Sequence, residues 1–533
     1  MARGLLLGDW AVFIAYLAGL AIYGYFFKRF IKSTEDYFIA GRVMPWWIVG
    51  FSLAAIALDA GDQQVPAGLS YNFGLAGLFL FVPSCVAGSF LLSTYIIPSL
   101  WRQGVITNAS WLERRYNAAM RQWGAWLQML QRTVVMASAI TGMAFLFQYI
   151  VGTEFWEGVL LAVAISGFMT IMGGMFAVSA SEIYTMVLGI FFGWTTLFYV
   201  IGAIGWDNFW NVVWPEVRFT TFGRDIVAGL PNWLTIMGLF LICFPYSIIN
   251  QEYVAKSLSA SSEWQSRLGL MIPNIPLWIA WVMPFSILGI IGRFVYPPGS
   301  FTGPADQVLF FFMRDVLPVG LVGFAVASFV AASADIGGTA DTVSSLFTID
   351  FYRRFIKKGA PESHYVKVGR IVTGIVLVIP VVWIPIQRAL PFVAGLYIAL
   401  TGALIGVIVI PYIVGPLTTF FSRNSAIIGC LAGAFIYGLP VSVIIPRFFP
   451  AIAKTIPAWM GHSWYVPFWT FGITFLTMVI VSLIENKIKG RIPAEELKDV
   501  VVVGRPETLK ASDINNILTK RAISANIIGG VKI

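Results

Sequence analysis

Carboxylate and amide side chains interrupt an apolar segment near the N-terminus. The stretch "SLAAIALDAGDQQVPAGLSYN", residues 52–72, opens as an apolar helix and then places Asp59, Asp62, Gln63 and Gln64 where hydrocarbon is expected. Ionisable groups at membrane depth are costly, and they usually line a water-filled cavity or bind an ion, a proton or a substrate. The sequence therefore predicts a polar cavity at this position.

A second polar interruption follows further along the chain. In "CFPYSIINQEYV", residues 243–254, Pro245 removes a backbone donor ahead of Asn250 and Gln251. Irregular backbone at membrane depth is tolerated only where protein or a water-filled cavity satisfies it. The two interruptions stand five predicted spans apart, which is the separation expected of inverted repeats that each open with a discontinuous helix.

The composition is that of a polytopic membrane protein. Of the 533 residues, 58% are hydrophobic and only 11% are charged, far from the composition of a soluble domain. Apolar runs long enough to cross a bilayer predict thirteen spans: 8–28, 45–70, 73–99, 124–151, 156–175, 180–205, 230–255, 266–292, 310–348, 367–387, 391–415, 424–445 and 464–485.

These spans predict five parts of the chain. They are 1–43, an extra N-terminal helix and its loop; 44–229, a first repeat broken near 55–64; 230–418, a second repeat broken near 244–251; 419–487, two C-terminal helices; and 488–533, a cytoplasmic tail.

The basic residues predict the orientation. With the N-terminus outside and the C-terminus cytoplasmic, most of the 35 Lys and Arg residues fall on the cytoplasmic side, as expected for a plasma-membrane protein. Of the basic residues within the predicted spans, Arg132 lies farthest from a span end. The net charge of +9 therefore reflects topology and contact with the lipid bilayer, and no nucleic-acid partner is expected.

Enzymatic chemistry is not indicated. Cys85, Cys243 and Cys430 lie in apolar stretches, and His364 and His462 lie in predicted loops, away from the membrane interior. Phosphate-binding, nucleophile-elbow and paired-cysteine motifs are not found in the sequence. We expect that the protein is not an enzyme and that it binds no organic cofactor.

Six segments occur in an order that points to a known family. They are "DYFIAGRVMPWW", "WLERRY", "GGMFAVSASEIYTMV", "NQEYVAKSLSA", "SSLFTIDFYRR" and "WIPIQ". In these segments the chain resembles the solute/sodium symporter family. The resemblance implies an all-α polytopic membrane protein with the five-plus-five inverted repeat of the leucine-transporter type, preceded by one extra helix.

The resemblance also implies a sodium site between the first broken helix and the ninth span. By position, the carbonyl donors are Ala55, Leu58 and Ala331, and the family's two hydroxyl ligands fall on Ala334 and Asp335. One ligand is thus lost and the other becomes a carboxylate. Asp335 can strengthen Na⁺ binding or carry a proton instead, so that Na⁺ and H⁺ both stay open as the coupling ion.

A second ion or proton site is implied at Glu182. This residue matches an acid that some members use for a second sodium ion. The accompanying hydroxyl positions, however, fall on Ala334, Gly337 and Gly338, which carry no side-chain oxygen.

The remaining polar residues predict a substrate site, with alternatives. Asp59 is expected to face the cavity, whereas Asp62 either faces it or caps the second half-helix. Arg132 either binds a substrate carboxylate or neutralises a nearby acid. Neutral hydrogen bonds are expected from Gln63, Gln64, Tyr246, Asn250 and Gln251.

The excess of predicted intramembrane acids over Arg132 favours a solute that carries an amine or is zwitterionic. We expect a cation-coupled symporter that imports a small polar solute by alternating access. The alternatives are a proton-coupled symporter that uses Asp335, and a non-transporting solute sensor with a transporter fold.

Overall fold

The computed structural model describes residues 32–74, 76–215, 232–300, 305–318, 320–388 and 395–503, with isolated positions before residue 32. Within these ranges the chain is helical apart from turns, loops and one isolated bridge between Met44 and Ala260. The predicted all-α membrane fold is confirmed for this part of the chain.

In the described ranges, nine helices are long and apolar enough to cross a membrane. They are Val82–Arg102, Ala118–Val151, Gly174–Ile204, Glu263–Val295, Leu321–Ile356, Glu362–Arg388, Leu396–Val414, Ser425–Phe448 and Val466–Lys489. Shorter apolar helices are Trp46–Ala55, Phe155–Gly167 and Phe240–Ile249. The predicted span 8–28 lies outside the described residues, apart from isolated positions, and the count of thirteen stays a prediction.

The first broken helix consists of Trp46–Ala55 and Val65–Phe73. Residues 56–64 between the two halves are turns that lie at the predicted interruption. Pro66 is the second residue of this second half, in the first helical turn, where a backbone N–H has no intrahelical partner.

The second broken helix consists of Asn232–Ile249 and Gln251–Leu258. Pro245 lies inside the first half, so the helix continues through this proline and breaks at the end of the predicted range 244–251. The break comes at Asn250, which has extended backbone angles and whose side chain accepts a hydrogen bond from the Glu252 amide. An asparagine that caps a new helix stops the preceding one more effectively here than the proline does.

Three further helices enclose the two breaks. They are the Arg132 helix, Ala118–Leu146; the Glu182 helix, Phe155–Ile204; and the Asp335 helix, Ser333–Ser345. The Glu182 helix contains a kink at Gly174, whose φ of 53° favours glycine, at the end of the fifth predicted span.

The first break packs directly on the Arg132 helix. A Cβ atom at Gly142 would lie 2.6 Å from the Ala60 carbonyl oxygen, and one at Gly61 would lie 2.9 Å from the Ser138 backbone. These glycines allow backbone to approach backbone where residues 56–64 cross the helix.

The ninth span differs from its predicted bounds of 310–348. The structure has a separate short helix, Val308–Asp315, and a long helical segment that begins at Leu321 and ends at Ile356. Gly320 has a φ of 88°, which is incompatible with continuing a helix from the preceding segment.

Several segments predicted to lie on the same side of the membrane contact one another. Arg121, near the loop after the third predicted span, contacts Asp350 at 2.6 Å at the end of the ninth. The Ser99 hydroxyl donates to the Val500 carbonyl of the C-terminal tail at 2.6 Å. These contacts agree with the predicted alternation of the spans.

Candidate functional site

A buried cluster of charged side chains lies beside the two helix breaks, and we call it the charged cluster. It consists of Arg132, Glu182, Glu252, Lys256 and Asp335, whose side chains are at most 2% exposed. The Lys256 ammonium nitrogen contacts Glu182 directly, lies 2.9 Å from Glu252 Oε1 and lies 3.9 Å from Asp335 Oδ1. The three carboxylates thus surround one ammonium group.

Two members of the cluster come from the helix that follows the second break. Glu252 and Lys256 stand four residues apart and share a face of Gln251–Leu258. The Asn250 cap fixes the start of this helix and so the direction in which both side chains project.

Arg132 is a charge partner within the cluster. Its Nη2 atom lies 2.6 Å from Glu252 Oε2 and also donates to the Thr339 hydroxyl at 2.6 Å. Thr339 in turn donates to the same Glu252 oxygen at 2.8 Å. Of the two predicted roles of Arg132, these contacts match neutralisation of a nearby acid.

Asp335 keeps one oxygen free of hydrogen bonds. Its side chain is buried, and among the described residues no donor makes a hydrogen bond to Oδ1. The nearest cation is the Lys256 ammonium at 3.9 Å, beyond hydrogen-bonding distance. A buried carboxylate oxygen in this state can accept a metal ion or a proton.

The predicted carbonyl ligands each accept one hydrogen bond. Ala55 O accepts from the Leu58 amide at 2.9 Å, and Leu58 O accepts from Gln63 Nε2 at 3.3 Å. Ala331 O accepts from the Thr185 hydroxyl at 2.9 Å. A carbonyl oxygen has two lone pairs, so each can still bind a cation. The side chain of Ala334 lies outside the described residues.

The first broken helix runs along the Glu182 helix. The Ser52 hydroxyl donates to Glu182, and a Cβ at Gly189 would lie 2.4 Å from the Leu58 side chain. Thr185 lies between these two contacts on the Glu182 helix and binds the Ala331 carbonyl. The first broken helix and the Ala331 carbonyl therefore contact the same stretch of this helix, residues 182–189.

A small cavity lies beyond the first break, with about 30 Å³ of space open to the centre of a water molecule. This space holds one or two waters. The lining side chains include Asp62, Cys243, Tyr246, Ser247, Trp278 and Tyr397. Asp62 is the one ionisable carboxylate among the described lining residues, and none of them is basic.

The two aspartates of the first break have different positions. Asp59 is buried and its Oδ1 atom accepts a hydrogen bond from the Asp62 amide at 2.7 Å, so it stabilises the turn. Asp62, not Asp59, lines the cavity. The prediction that Asp59 is the more exposed to the cavity differs from this arrangement, because the tight turn directs the Asp59 carboxylate back to its own backbone.

The predicted amide ligands lie outside the cavity lining. Gln63 and Gln64 donate to the carbonyls of Leu58 and Ala60 within the unwound stretch. Gln251 accepts from the Asn108 amide at 2.7 Å, at the start of the helix Asn108–Arg115. Gln63, Gln64 and the Asn250 cap thus bind backbone groups that the helix breaks leave unpaired.

Tyr246 connects the cavity with the charged cluster. Its ring lines the cavity, and the Arg132 guanidinium carbon lies 5.4 Å from the ring centroid. Its hydroxyl lies 3.5 Å from the Ile56 carbonyl, at the limit of a hydrogen bond. A movement of the first break can therefore affect both the cavity and the charged cluster through the Tyr246 side chain.

The sequence analysis did not predict three residues of the site, namely Thr185, Glu252 and Lys256. Lys256 directly follows the seventh predicted span, 230–255, and the structure buries it completely. The signal was present in the Glu252–Lys256 pair at i and i+4, because such a pair directly after a helix break can turn inward.

Comparison with known proteins identifies the family. The model of the sodium:solute symporter family matches residues 37–438. A sodium/glucose cotransporter of Vibrio parahaemolyticus is 23% identical, covering 90% of this chain and 91% of its own. The human sodium-coupled monocarboxylate transporter 2 is 22% identical, covering 93% and 86%. These relatives are named as cotransporters, which are not enzymes.

Solved structures show the same fold. A Na⁺-coupled sialic acid symporter in an outward-open state matches with a TM-score of 0.72 at 17% identity, over 90% of this chain and 98% of its own. Mhp1, a nucleobase-cation-symport-1 family transporter, matches with a TM-score of 0.56 at 11% identity, over 87% and 97%. With the family match over most of its length, the chain belongs to the sodium:solute symporter family.

Proposed function

We propose that this multi-pass membrane protein is a Na⁺-coupled symporter that imports a small amine-bearing or zwitterionic solute across the plasma membrane. Membership of the sodium:solute symporter family and the names of the sodium-coupled relatives support Na⁺-coupled symport. The solute class rests on the cavity of this chain.

One observation carries the assignment of the ion site. The buried Asp335 carboxylate has an oxygen that no described donor satisfies. It lies on the helix that follows the Ala331 carbonyl, and that carbonyl binds Thr185, between the contacts of Ser52 and Leu58 with the Glu182 helix. Na⁺ would bind the three carbonyls and Asp335, and would hold the unwound stretch in one conformation.

The cavity favours a cationic amine. Among the described lining residues, Asp62 is negative and no basic side chain offsets it, so a carboxylate group would be repelled. The ammonium group of a protonated amine can take the place of one of the waters in the cavity, pair with Asp62 and lie against the faces of Tyr246, Trp278 and Tyr397, which attract cations. The relatives include proteins named for glucose and for monocarboxylates, so solute choice differs between members and follows the cavity.

The arrangement suggests how the two sites act together. Ion binding fixes residues 56–64, from which the Ile56 carbonyl contacts Tyr246 and Asp62 faces the cavity. The solute then binds a site that is already ordered, so that less entropy is lost by ordering the site when the solute binds. We assign the moving parts to the repeats 44–229 and 230–418, with the N-terminus outside and the C-terminus cytoplasmic.

Uptake into proteoliposomes tests this proposal. Labelled amines, amino acids, sugars and carboxylates are offered under an imposed Na⁺ gradient, and we expect Na⁺-driven accumulation of an amine-bearing solute. Asp335→Asn should abolish the Na⁺ dependence. Asp341→Asn is the matched control, because Asp341 is buried on the same helix six residues further on.

The contrary outcomes are distinct. Full Na⁺-coupled uptake by Asp335→Asn would refute the ion site. Accumulation driven by a pH gradient without Na⁺ would favour the second candidate, proton coupling, which the free oxygen of Asp335 also supports. Uptake of only sugars or carboxylates would refute the assignment of the solute class.

A further inference from the structure

Lys256 lies where a second cation is otherwise expected. Its side chain is completely buried, and its ammonium donates to Glu182 and lies 3.4 Å from the Ser52 carbonyl. Glu252 Oε1 lies 2.9 Å from the same nitrogen and forms an ion pair with it. The ammonium is therefore fixed in place and does not reach into the cavity as a flexible chain.

The oxygens around the ammonium have the spacing of a metal site. One carboxylate oxygen each from Glu182, Glu252 and Asp335 lies within 4.8 Å of the others, on three separate helices. Three carboxylates this close in a low-dielectric interior repel strongly unless a cation lies among them. Here that cation is the ammonium group of Lys256, which is part of the chain itself.

The Asp335 helix leaves room for this arrangement. A Cβ at Gly338 would lie 2.6 Å from Glu252 Oε1 and 3.7 Å from Glu182 Oε1. Gly338 is one of the positions at which hydroxyl ligands of a second sodium ion were expected from the family resemblance. In this chain Glu252 fills the space that such a side chain would occupy.

The charge of the cluster leaves a place for one more cation. The carboxylates of Glu182, Glu252 and Asp335 face two cationic side chains, Arg132 and Lys256, so one negative charge remains when all ionise. Glu252 Oε1 and Asp335 Oδ1 both lack a hydrogen-bond donor among the described residues, but the Lys256 ammonium lies 2.9 Å from the former and 3.9 Å from the latter, which leaves Asp335 the less compensated. One monovalent cation at Asp335 therefore neutralises the cluster, and a second one would make it positive.

We propose that Lys256 is a tethered cation that replaces a second sodium ion, so that the transporter couples one Na⁺ to each solute. The statement about stoichiometry rests on the proposed Na⁺ coupling, whereas the occupation of a latent cation site by Lys256 does not. Removal of the ammonium should open the three-carboxylate site to a free cation.

The test compares the wild type with Lys256→Met, which keeps the side-chain length and removes the charge. Reversal potentials in proteoliposomes should give one Na⁺ per solute for the wild type and two for Lys256→Met, with a Hill coefficient that rises from about one towards two. In detergent, NaCl relative to choline chloride should raise the thermal unfolding temperature of Lys256→Met more than that of the wild type, because a ligand of the folded state stabilises it.

Two further variants serve as controls. Glu182→Gln added to Lys256→Met restores the charge of the cluster and should return the Na⁺ stoichiometry to one. Lys489→Met removes a lysine from an exposed i, i+4 pair with Glu485 and should leave the stoichiometry unchanged.

The result that overturns the proposal can be read on the wild type or on the variants. Two Na⁺ per solute in the wild type would refute it even if Lys256→Met failed to fold. A folded Lys256→Met with one Na⁺ per solute and no additional stabilisation by Na⁺ would also refute it. If wild-type uptake needs no Na⁺, the proposed function fails, and the Na⁺-dependent stabilisation of Lys256→Met still decides whether the lysine occupies a cation site.

Discussion

Replacement of Arg132 by methionine should strongly destabilise the protein. Arg132 and Glu252 are both completely buried and lie 2.6 Å apart. Loss of one partner of a buried ion pair costs about 3–5 kcal/mol, because the other charge stays buried without compensation. Lys256 still lies 2.9 Å from Glu252, so we expect the lower end, about 3 kcal/mol. Methionine retains most of the packing volume, which limits the effect to the charge.

The free energy of unfolding can be measured in detergent micelles with a graded denaturant, with tryptophan fluorescence as the readout. Glu252→Gln in the Arg132→Met background removes the uncompensated charge, and the double variant should regain part of the stability that the single variant loses. Arg423→Met is the control, because Arg423 pairs with Glu496 at the surface, where both are about half exposed. A surface pair contributes at most about 1 kcal/mol.

Two results would refute this reasoning. The first is a stability of Arg132→Met within about 1 kcal/mol of the wild type, the range of a surface pair. The second is a double variant that is as unstable as the sum of the two single variants, which would show that Arg132 and Glu252 do not interact.

Three further predictions concern other parts of the molecule. Hydrogen bonding by Arg354 lowers the pKa of Glu113 to about 2. Because this pKa is below that of glutamate in the unfolded chain, the Glu113–Arg354 pair stabilises the folded state at neutral pH, and this stabilisation is lost as pH falls towards 2. Glu113→Gln should therefore lower the unfolding temperature at pH 7 but much less at pH 3, and an equal loss at both would contradict it. Gly142→Leu should abolish uptake and lower stability, because even a Cβ would lie 2.6 Å from the Ala60 carbonyl; unchanged uptake would argue against the packing of the break. Cys243 lines the cavity, so a maleimide should inhibit uptake and substrate should protect; equal inhibition of Cys243→Ser would contradict this.

The general architecture could be predicted from the sequence because it follows from long apolar runs and their interruptions. The unwound stretch 56–64 coincides with the aspartates and glycine that disfavour a helix there. The position of the second break was less predictable, because Pro245 is tolerated inside a helix and the Asn250 cap ends it instead. Local propensity thus indicates that a helix breaks more reliably than it indicates where.

The candidate site was predicted in part. Asp335, Glu182 and Arg132 were expected at membrane depth and do lie together. Lys256 was not expected, because a lysine near the end of an apolar run normally reaches the membrane surface. Only the three-dimensional arrangement shows that three carboxylates from separate helices hold it inside.

The roles of the two aspartates could not be separated from sequence alone. Asp59 and Asp62 are three residues apart in an irregular turn, where no helical periodicity fixes the direction of a side chain. The backbone of the turn gives Asp59 an internal hydrogen bond and leaves Asp62 facing the cavity. Such a choice depends on backbone angles that propensities do not determine.

Equilibrium binding of radiolabelled Na⁺ to the purified protein tests the central claim most directly, namely that Asp335 and the carbonyls of the broken helix hold the coupling ion. Saturable binding is expected for the wild type and for Asp341→Asn, and it should be lost in Asp335→Asn. Unchanged Na⁺ affinity in a folded Asp335→Asn would contradict the account.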